Sequence, residues 1–125
     1  MSNTERTGWR DEKLSRRHRE WGKDILAFDI DFIMVESNYE RAVALIEYKN
    51  QKARINLDSW PNKILSGLAT DAGLPAFLVI YAGDFSWWRV WPLNELGFKK
   101  ITRIQFESLL SEDEYVDFLR GLRTF

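Results

Sequence analysis

The sequence predicts an α/β domain, a mixed β-sheet flanked by helices in the order α-β-β-α-β-β-α. Two apolar runs, residues 42–49 and 76–82, are separated by a helix-like stretch that stops at Gly73 and Pro75. A strand–helix–strand unit of this length suits a parallel crossover. A third run, residues 27–35, precedes the polar turn Ser37-Asn38-Tyr39-Glu40, and the two runs around that turn predict a hairpin. Amphipathic stretches near both ends supply flanking helices.

Residues 1–10 read as a flexible arm. Asp11 is placed to cap a helix running to about Lys23, with Leu14, His18, Trp21 and then Ile25 as its stripe. On the strand over 27–35, Phe28, Ile30, Phe32 and Met34 share one face, matched by Ala44, Ile46 and Tyr48 on the strand over 42–49. A polar, basic connector follows. Asp58 or Ser59 then caps a helix with Pro61 in its first turn and Ile64, Leu65, Leu68, Ala69 and Ala72 as its buried face. The unbroken apolar stretch Ala76–Ala82 suits a strand buried on both faces. Gly83-Asp84 is a turn, residues 87–93 read as a strand, and residues 101–106 as another short one. Ser111 and Glu114 form a capping box for a last helix that buries Tyr115, Phe118, Leu119 and Leu122.

At 125 residues the chain makes a single domain. It has no cysteine, which rules out disulfides and thiolate metal sites and fits a cytoplasmic location. No apolar run is long enough for a membrane span, and the N-terminus lacks a signal-peptide core, so no membrane partner is expected. A single histidine, His18, excludes histidine-ligated metal sites and Ser-His-Asp triads. No glycine-rich phosphate loop is present, so no nucleotide cofactor is expected. The net charge is only −1, but residues 1–23 are rich in Arg and Lys whereas residues 107–118 carry acids and no base. Such segregation suits one face meeting phosphate, and equally suits two solvated helices.

The stretch from Phe28 to Gln51 concentrates the chemistry. Asp29 and Asp31 share one strand face, as do Glu47 and Lys49 on the next strand. A hairpin symmetric about residue 39 places Asp31 opposite Glu47 and Asp29 opposite Lys49. Directly opposed residues have Cβ atoms roughly 4.5–5.5 Å apart, and carboxylates held that close repel unless a cation or proton intervenes. The same face carries Ile33, Val35, Val43 and Leu45. Charges on a half-apolar face need a reason, and a divalent metal between Asp31 and Glu47, with Lys49 beside it, supplies one. A salt-bridged structural face is the other reading. A register slip of two would exchange Asp31 for Asp29.

This arrangement, Asp31 followed by Glu47-Tyr48-Lys49, resembles the PD-(D/E)xK nuclease superfamily, whose fold is restriction-endonuclease-like. The resemblance covers most of residues 11–92. Ile30 stands where the family carries Pro, and one strand of the family's core is missing before Asp31. The resemblance implies a metal-dependent DNA endonuclease using Mg²⁺, with Mn²⁺ able to substitute. Asp31 and Glu47 would be its ligands, with the Tyr48 carbonyl, and Lys49 would orient or deprotonate the attacking water. Glu20 corresponds by position to an extra metal ligand on the first helix; pairing with Arg16 or Arg17 is the competing reading. Asp29 is expected beside the ligands or as a structural partner of Lys49; Gln51, on the face of Lys49, is placed to touch phosphate or water, with an ordinary strand-end polar residue as the favoured reading. Arg16, Arg17, Arg19, Lys52, Arg54 and Lys63 are the candidate DNA-phosphate contacts. Small stand-alone domains of this kind resemble Holliday-junction resolvases and phage nucleases, which implies branched DNA as substrate and a homodimer. The alternatives are a non-catalytic nucleic-acid-binding or assembly module retaining the fold, and a subunit that cuts only with a partner. Trp87, Arg89 and Trp91 share one strand face, for which core or interface packing is expected.

Overall fold

A ten-residue strand, Arg41–Asn50, runs through the middle of the molecule. The computed structural model describes residues 12–22, 24 and 30–123. In chain order the elements are α1 (Glu12–Glu20), β1 (Phe32–Glu36), β2 (Arg41–Asn50), α2 (Trp60–Ala72), β3 (Ala76–Tyr81), β4 (Trp88–Pro92), α3 (Glu95–Lys100), α4 (Arg103–Glu107) and α5 (Glu112–Gly121). The strands form one mixed sheet in the order β1-β2-β3-β4. β1 and β4 run antiparallel to their neighbours, and β2 and β3 are parallel across the α2 crossover. The cap expected from Asp11 lies outside the described residues.

The hairpin register follows the predicted symmetry for three pairs, Phe32 with Ile46, Ile33 with Leu45 and Met34 with Ala44. It then shifts, so that Val35 faces Ala42 and Glu36 faces Arg41. The extra residue of this bulge is Val43. Strict alternation would put Val43 beside Leu45; the bulge turns it into the opposite core instead. Ile30 also departs from alternation. It packs with Leu45, Leu65 and Ala69 rather than with Phe32 and Met34, because the ladder begins only at Phe32.

Two cores sandwich the sheet. Ala44, Ile46, Phe77, Val79 and Val90 pack under α5, against Tyr115, Phe118 and Leu122. Leu45 and Ala76 pack under α2, against Leu65 and Ala69. Residues 76–79 are therefore buried on both faces, as their composition predicts. α2 starts after extended Ser59 with Pro61 in its first turn, and stops at Gly73, whose φ of 74° is left-handed. Only Asn62, Leu65 and Ala69 of α2 are buried. Ile64, Leu68 and Ala72 are exposed, contrary to the sequence expectation. Each is a neighbour or near-neighbour in sequence of a buried residue, and one residue turns about 100° around a helix. The stripe that meets the sheet is narrower than composition suggests.

Residues 101–106 are not a strand. Asn94 caps α3 by accepting from Gly97 N, and Thr102 and Gln105 form a reciprocal capping box for α4. Local capping of this kind outweighs a short apolar alternation. The β contact in this region is a single bridge between Trp88 and Leu110. α5 has the capping box expected of Ser111 and Glu114, and buries Tyr115, Phe118 and Leu122 with Leu119 at the margin.

Asn94 also ties three elements together. Its Oδ1 accepts from Ala76 N at 3.0 Å and Gly97 N at 2.8 Å, and its Nδ2 donates to Leu74 O at 2.8 Å and Thr70 Oγ1 at 3.2 Å. A side chain at Gly97 would meet Ala76 O at 2.7 Å, so only glycine lets α3 approach β3 this closely. At the other end of the sheet, buried Glu36 pairs with Arg123 beyond α5 and accepts from Asn38 N at 2.9 Å. Those partners hold its carboxyl below the usual range, led by the Asn38 bond. No helix among the described residues is long and apolar enough to cross a membrane.

Asn94→Ala strands buried donors and acceptors at the joint of α2, β3 and α3. It should lower unfolding free energy by about 2–4 kcal/mol, read from urea denaturation at unchanged slope. Below neutral pH, stability from Glu36 should be lost as pH falls from its unfolded value through its depressed folded value. Glu36→Gln should abolish that part of the acid limb in thermal melts.

Candidate functional site

Asp31 precedes the first residue of β1, and the register that pairs Phe32 with Ile46 brings it to Glu47. Its Oδ2 accepts from Tyr48 N at 3.0 Å. The carboxylate thus takes up a β2 amide just where the β1 ladder ends, which fixes its position beside Glu47. Lys49 Nζ lies 3.6 Å from Glu47 Oε1. The Glu47 side chain is only 19% exposed. Burial pushes its carboxyl above the usual carboxylate range, the Asp31 charge pushes it further, and Lys49 pulls it back without reversing the shift. Two acids and one base meet here, and the half-buried acid still favours a proton or a cation.

The expected triad of Asp31, Glu47 and Lys49 is therefore brought together in space. The other candidates are distributed differently. Asp29 lies outside the described residues. Gln51 is exposed and is tied to the β3–β4 turn, its Oε1 accepting from Gly83 N at 3.0 Å. Glu20 is exposed on α1. Among the described residues no three of His, Cys, Asp and Glu gather as a metal cluster, so Glu20 does not join the Asp31–Glu47 pair. Arg16, Arg17 and Arg19 are exposed on α1, Lys52 and Arg54 are exposed in the connector after β2, and Lys63 is exposed on α2, the helix covering the Glu47 face. His18 packs on Trp21, with ring centroids 4.7 Å apart.

Two oxygen-donor carboxylates fit a hard divalent cation such as Mg²⁺, which keeps several waters and takes few protein ligands. Nothing in the set favours a softer metal.

Sequence reasoning missed two concavities. One, of about 430 Å³, lies at the C-terminal ends of parallel β2 and β3 and is lined by Asn50, Gln51, Lys52, Gly83, Asp84 and Trp87 among others. Ligands of open α/β sheets bind outside such strand ends. The signal was the run of polar residues directly after Lys49. The other, of about 310 Å³, lies on the face opposite Glu47 and is lined by Phe32, Tyr48, Tyr81, Phe85 and Trp88. Behind it, Tyr48 OH and Tyr115 OH are 2.6 Å apart, and burial pushes both phenols upward. Phe85 reaches its place with a left-handed φ of 62°. Phe32, Tyr48 and the group Tyr81, Phe85 and Trp88 come from three separate stretches of chain, so no single local pattern announces the cavity.

Comparisons with protein-family models, with curated proteins and with solved structures found no match for this chain.

The raised Glu47 value has a measurable sign. Below the unfolded value the carboxyl is protonated in both states and contributes nothing. As pH rises, the unfolded chain loses the proton first, and metal-free stability is lost until pH passes the folded value. Glu47→Gln stays neutral throughout. In EDTA, the variant's Tm minus that of wild type should be near zero at about pH 4, rise with pH and then level off.

Proposed function

We propose that this protein is a metal-dependent endodeoxyribonuclease of the PD-(D/E)xK, restriction-endonuclease-like kind. The observation carrying this reading is Asp31 held against half-buried Glu47, with Lys49 at 3.6 Å. The structural reading of the same residues, a salt-bridged face, does not account for two acids sharing one base where one acid is desolvated. A structural pair would gain from removing the second acid.

Asp31 and Glu47 would hold Mg²⁺, or Mn²⁺ in its place. When bound, the cation supplies charge neutralisation at the phosphate and acidifies a water. Glu47 would hold the cation with Asp31 and, being desolvated, would give up little hydration on binding it. Asp31 keeps one oxygen on Tyr48 N, which holds its carboxylate beside Glu47. Lys49 donates toward the attacking oxygen or the phosphate, and its salt contact with Glu47 sets the direction of its ammonium group.

DNA, branched or duplex, is the proposed substrate, and a homodimer the proposed working form, since one site cuts one strand. Apolar side chains exposed on β1 (Ile33, Val35) and on α2 (Trp60, Ile64, Leu68) support a second copy as partner. A location in the cytoplasm fits a cysteine-free chain.

The test is cleavage of a labelled four-way junction, a matched duplex and a single strand in Mg²⁺, Mn²⁺ and EDTA. Metal-dependent cutting is expected in wild type and absent in Glu47→Ala and Asp31→Ala. Lys49→Ala should lower kcat by about 10²–10³-fold. Tight DNA binding by a folded wild-type protein that cuts nothing would replace this reading with a binding module or a partner-dependent subunit, which adding cell extract to the assay distinguishes.

A further inference from the structure

The geometry points to Arg89 as a second phosphate-holding cation on the Glu47 face, a DNA contact that completes the site from β4. The proposal rests on the nuclease reading for its substrate and deepens it. Cross-strand partners project from the same face of a sheet. Lys49 pairs with Ile80, and Ile80 pairs with Arg89. One row further along, Glu47 pairs with Leu78, and Leu78 with Trp91. Arg89 and Trp91 therefore stand on the same face as Lys49 and Glu47, two strand spacings away, or roughly 9.5 Å between backbones. The floor between them is apolar, made by Ile80 and fully buried Leu78.

Arg89 differs from three arginines that are paired with carboxylates. Arg103 is paired with Glu107, Arg120 with Asp117 and Arg123 with Glu36. Among the described residues no carboxylate pairs with Arg89. Its guanidinium carbon instead lies 4.5 Å from the centroid of the Trp91 ring. Arg89 is partly buried, and its Nε is buried without a hydrogen-bond partner. Trp91 Nε1, its neighbour on the same face, is buried and unpartnered as well. Buried donors are normally satisfied. Those two nitrogens are enclosed, so the donors left for a ligand are the terminal nitrogens of the partly exposed guanidinium, and an anion is the ligand class that answers a cation no described carboxylate neutralises.

The planar, five-donor guanidinium matches a phosphodiester bidentately, and its contact with the Trp91 ring favours one placement. The distance from Lys49 suits a phosphate other than the scissile one. Arg89 would then hold the strand while Asp31, Glu47 and Lys49 act on the neighbouring bond. Its expected role is positioning of substrate by direct contact, expressed in affinity and KM more than in kcat.

The experiment measures anisotropy of a labelled DNA duplex against salt concentration, in EDTA so that cutting plays no part. Wild type, Arg89→Ala, Arg89→Lys and Arg120→Ala are compared, with a thermal melt for each. Arg120 lies on α5, across the sheet, and controls for the loss of one charge anywhere. For Arg89→Ala the expectation is about tenfold weaker binding and a salt slope shallower by about one. Arg89→Lys should restore the slope but not the full affinity, since it keeps the charge and loses the fork. Arg120→Ala should leave both unchanged.

An Arg89→Ala protein that melts like wild type and keeps its slope and affinity overturns the proposal, whatever the cleavage assay gives. Equal losses in Arg89→Ala and Arg120→Ala also overturn it, because the effect would be bulk charge. If Arg89→Ala is unfolded, Arg89→Lys carries the test through its affinity loss at unchanged slope. Binding with the expected slope change but no cutting in any metal would uphold Arg89 as a phosphate contact while removing the nuclease reading. A wild type that binds no DNA in EDTA would overturn Arg89 as a phosphate contact, and the nuclease reading would then stand or fall by the metal-dependent cleavage assay alone.

Discussion

Ala44 and Ile46 of β2 are buried under α5 while Leu45, between them, is buried under α2. A slip of β2 by one residue would exchange these sets and turn Glu47 and Lys49 to the other face. Burial of one large aliphatic side chain is worth about 1.5–3 kcal/mol, whereas like charges opposed on a sheet cost about 0.2–1 kcal/mol. Packing therefore decides the register, and the carboxylates of Asp31 and Glu47 meet because hydrophobic burial leaves them no choice. The repulsion that remains appears as the raised Glu47 carboxyl. A cation or a proton relieves it.

That lock is assembled from pieces distant in sequence. β3 closes one side of β2 and is itself buried on both faces. Asn94 joins the start of β3 to the end of α2 and the start of α3, and Glu36 with Arg123 ties the far end of the hairpin to the chain after α5. The polar groups used for this are all satisfied, so they hold geometry at little net cost. Arg89 Nε and Trp91 Nε1 are the contrast. They sit in the same sheet without acceptors, on the face that also carries the acids.

Much of this was legible in the chain. Alternation and the turn at residues 37–40 gave three of the hairpin's pairs, and through them the meeting of Asp31 with Glu47. Gly73, Pro61 and the Ser111–Glu114 box gave helix boundaries, because caps and breakers act on their immediate neighbours. The errors have the opposite character. Val43 and Ile30 left their expected faces because a bulge and a late strand start break the period of two, which no periodicity count detects. Ile64 and Leu68 stayed exposed because the width of the α2 contact is set by the strands beneath it. Residues 103–106 became helix because the capping box at Thr102 outweighed a weak apolar pattern.

Local periodicity and turn chemistry suffice for the strand–helix–strand unit, the hairpin and the identity of the acid–acid–lysine set. These depend on local periodicity and on residues within a turn of one another. The depth at which Glu47 is buried, and the use of Gln51 by the β3–β4 turn, follow from the assembled fold. It alone built the aromatic cavity from β1, β2, β3 and β4, and put Arg89 in the row of Lys49. Those facts depend on which strand lies next to which, and strand neighbours are chosen by the burial of whole faces, a property that no short window of sequence contains.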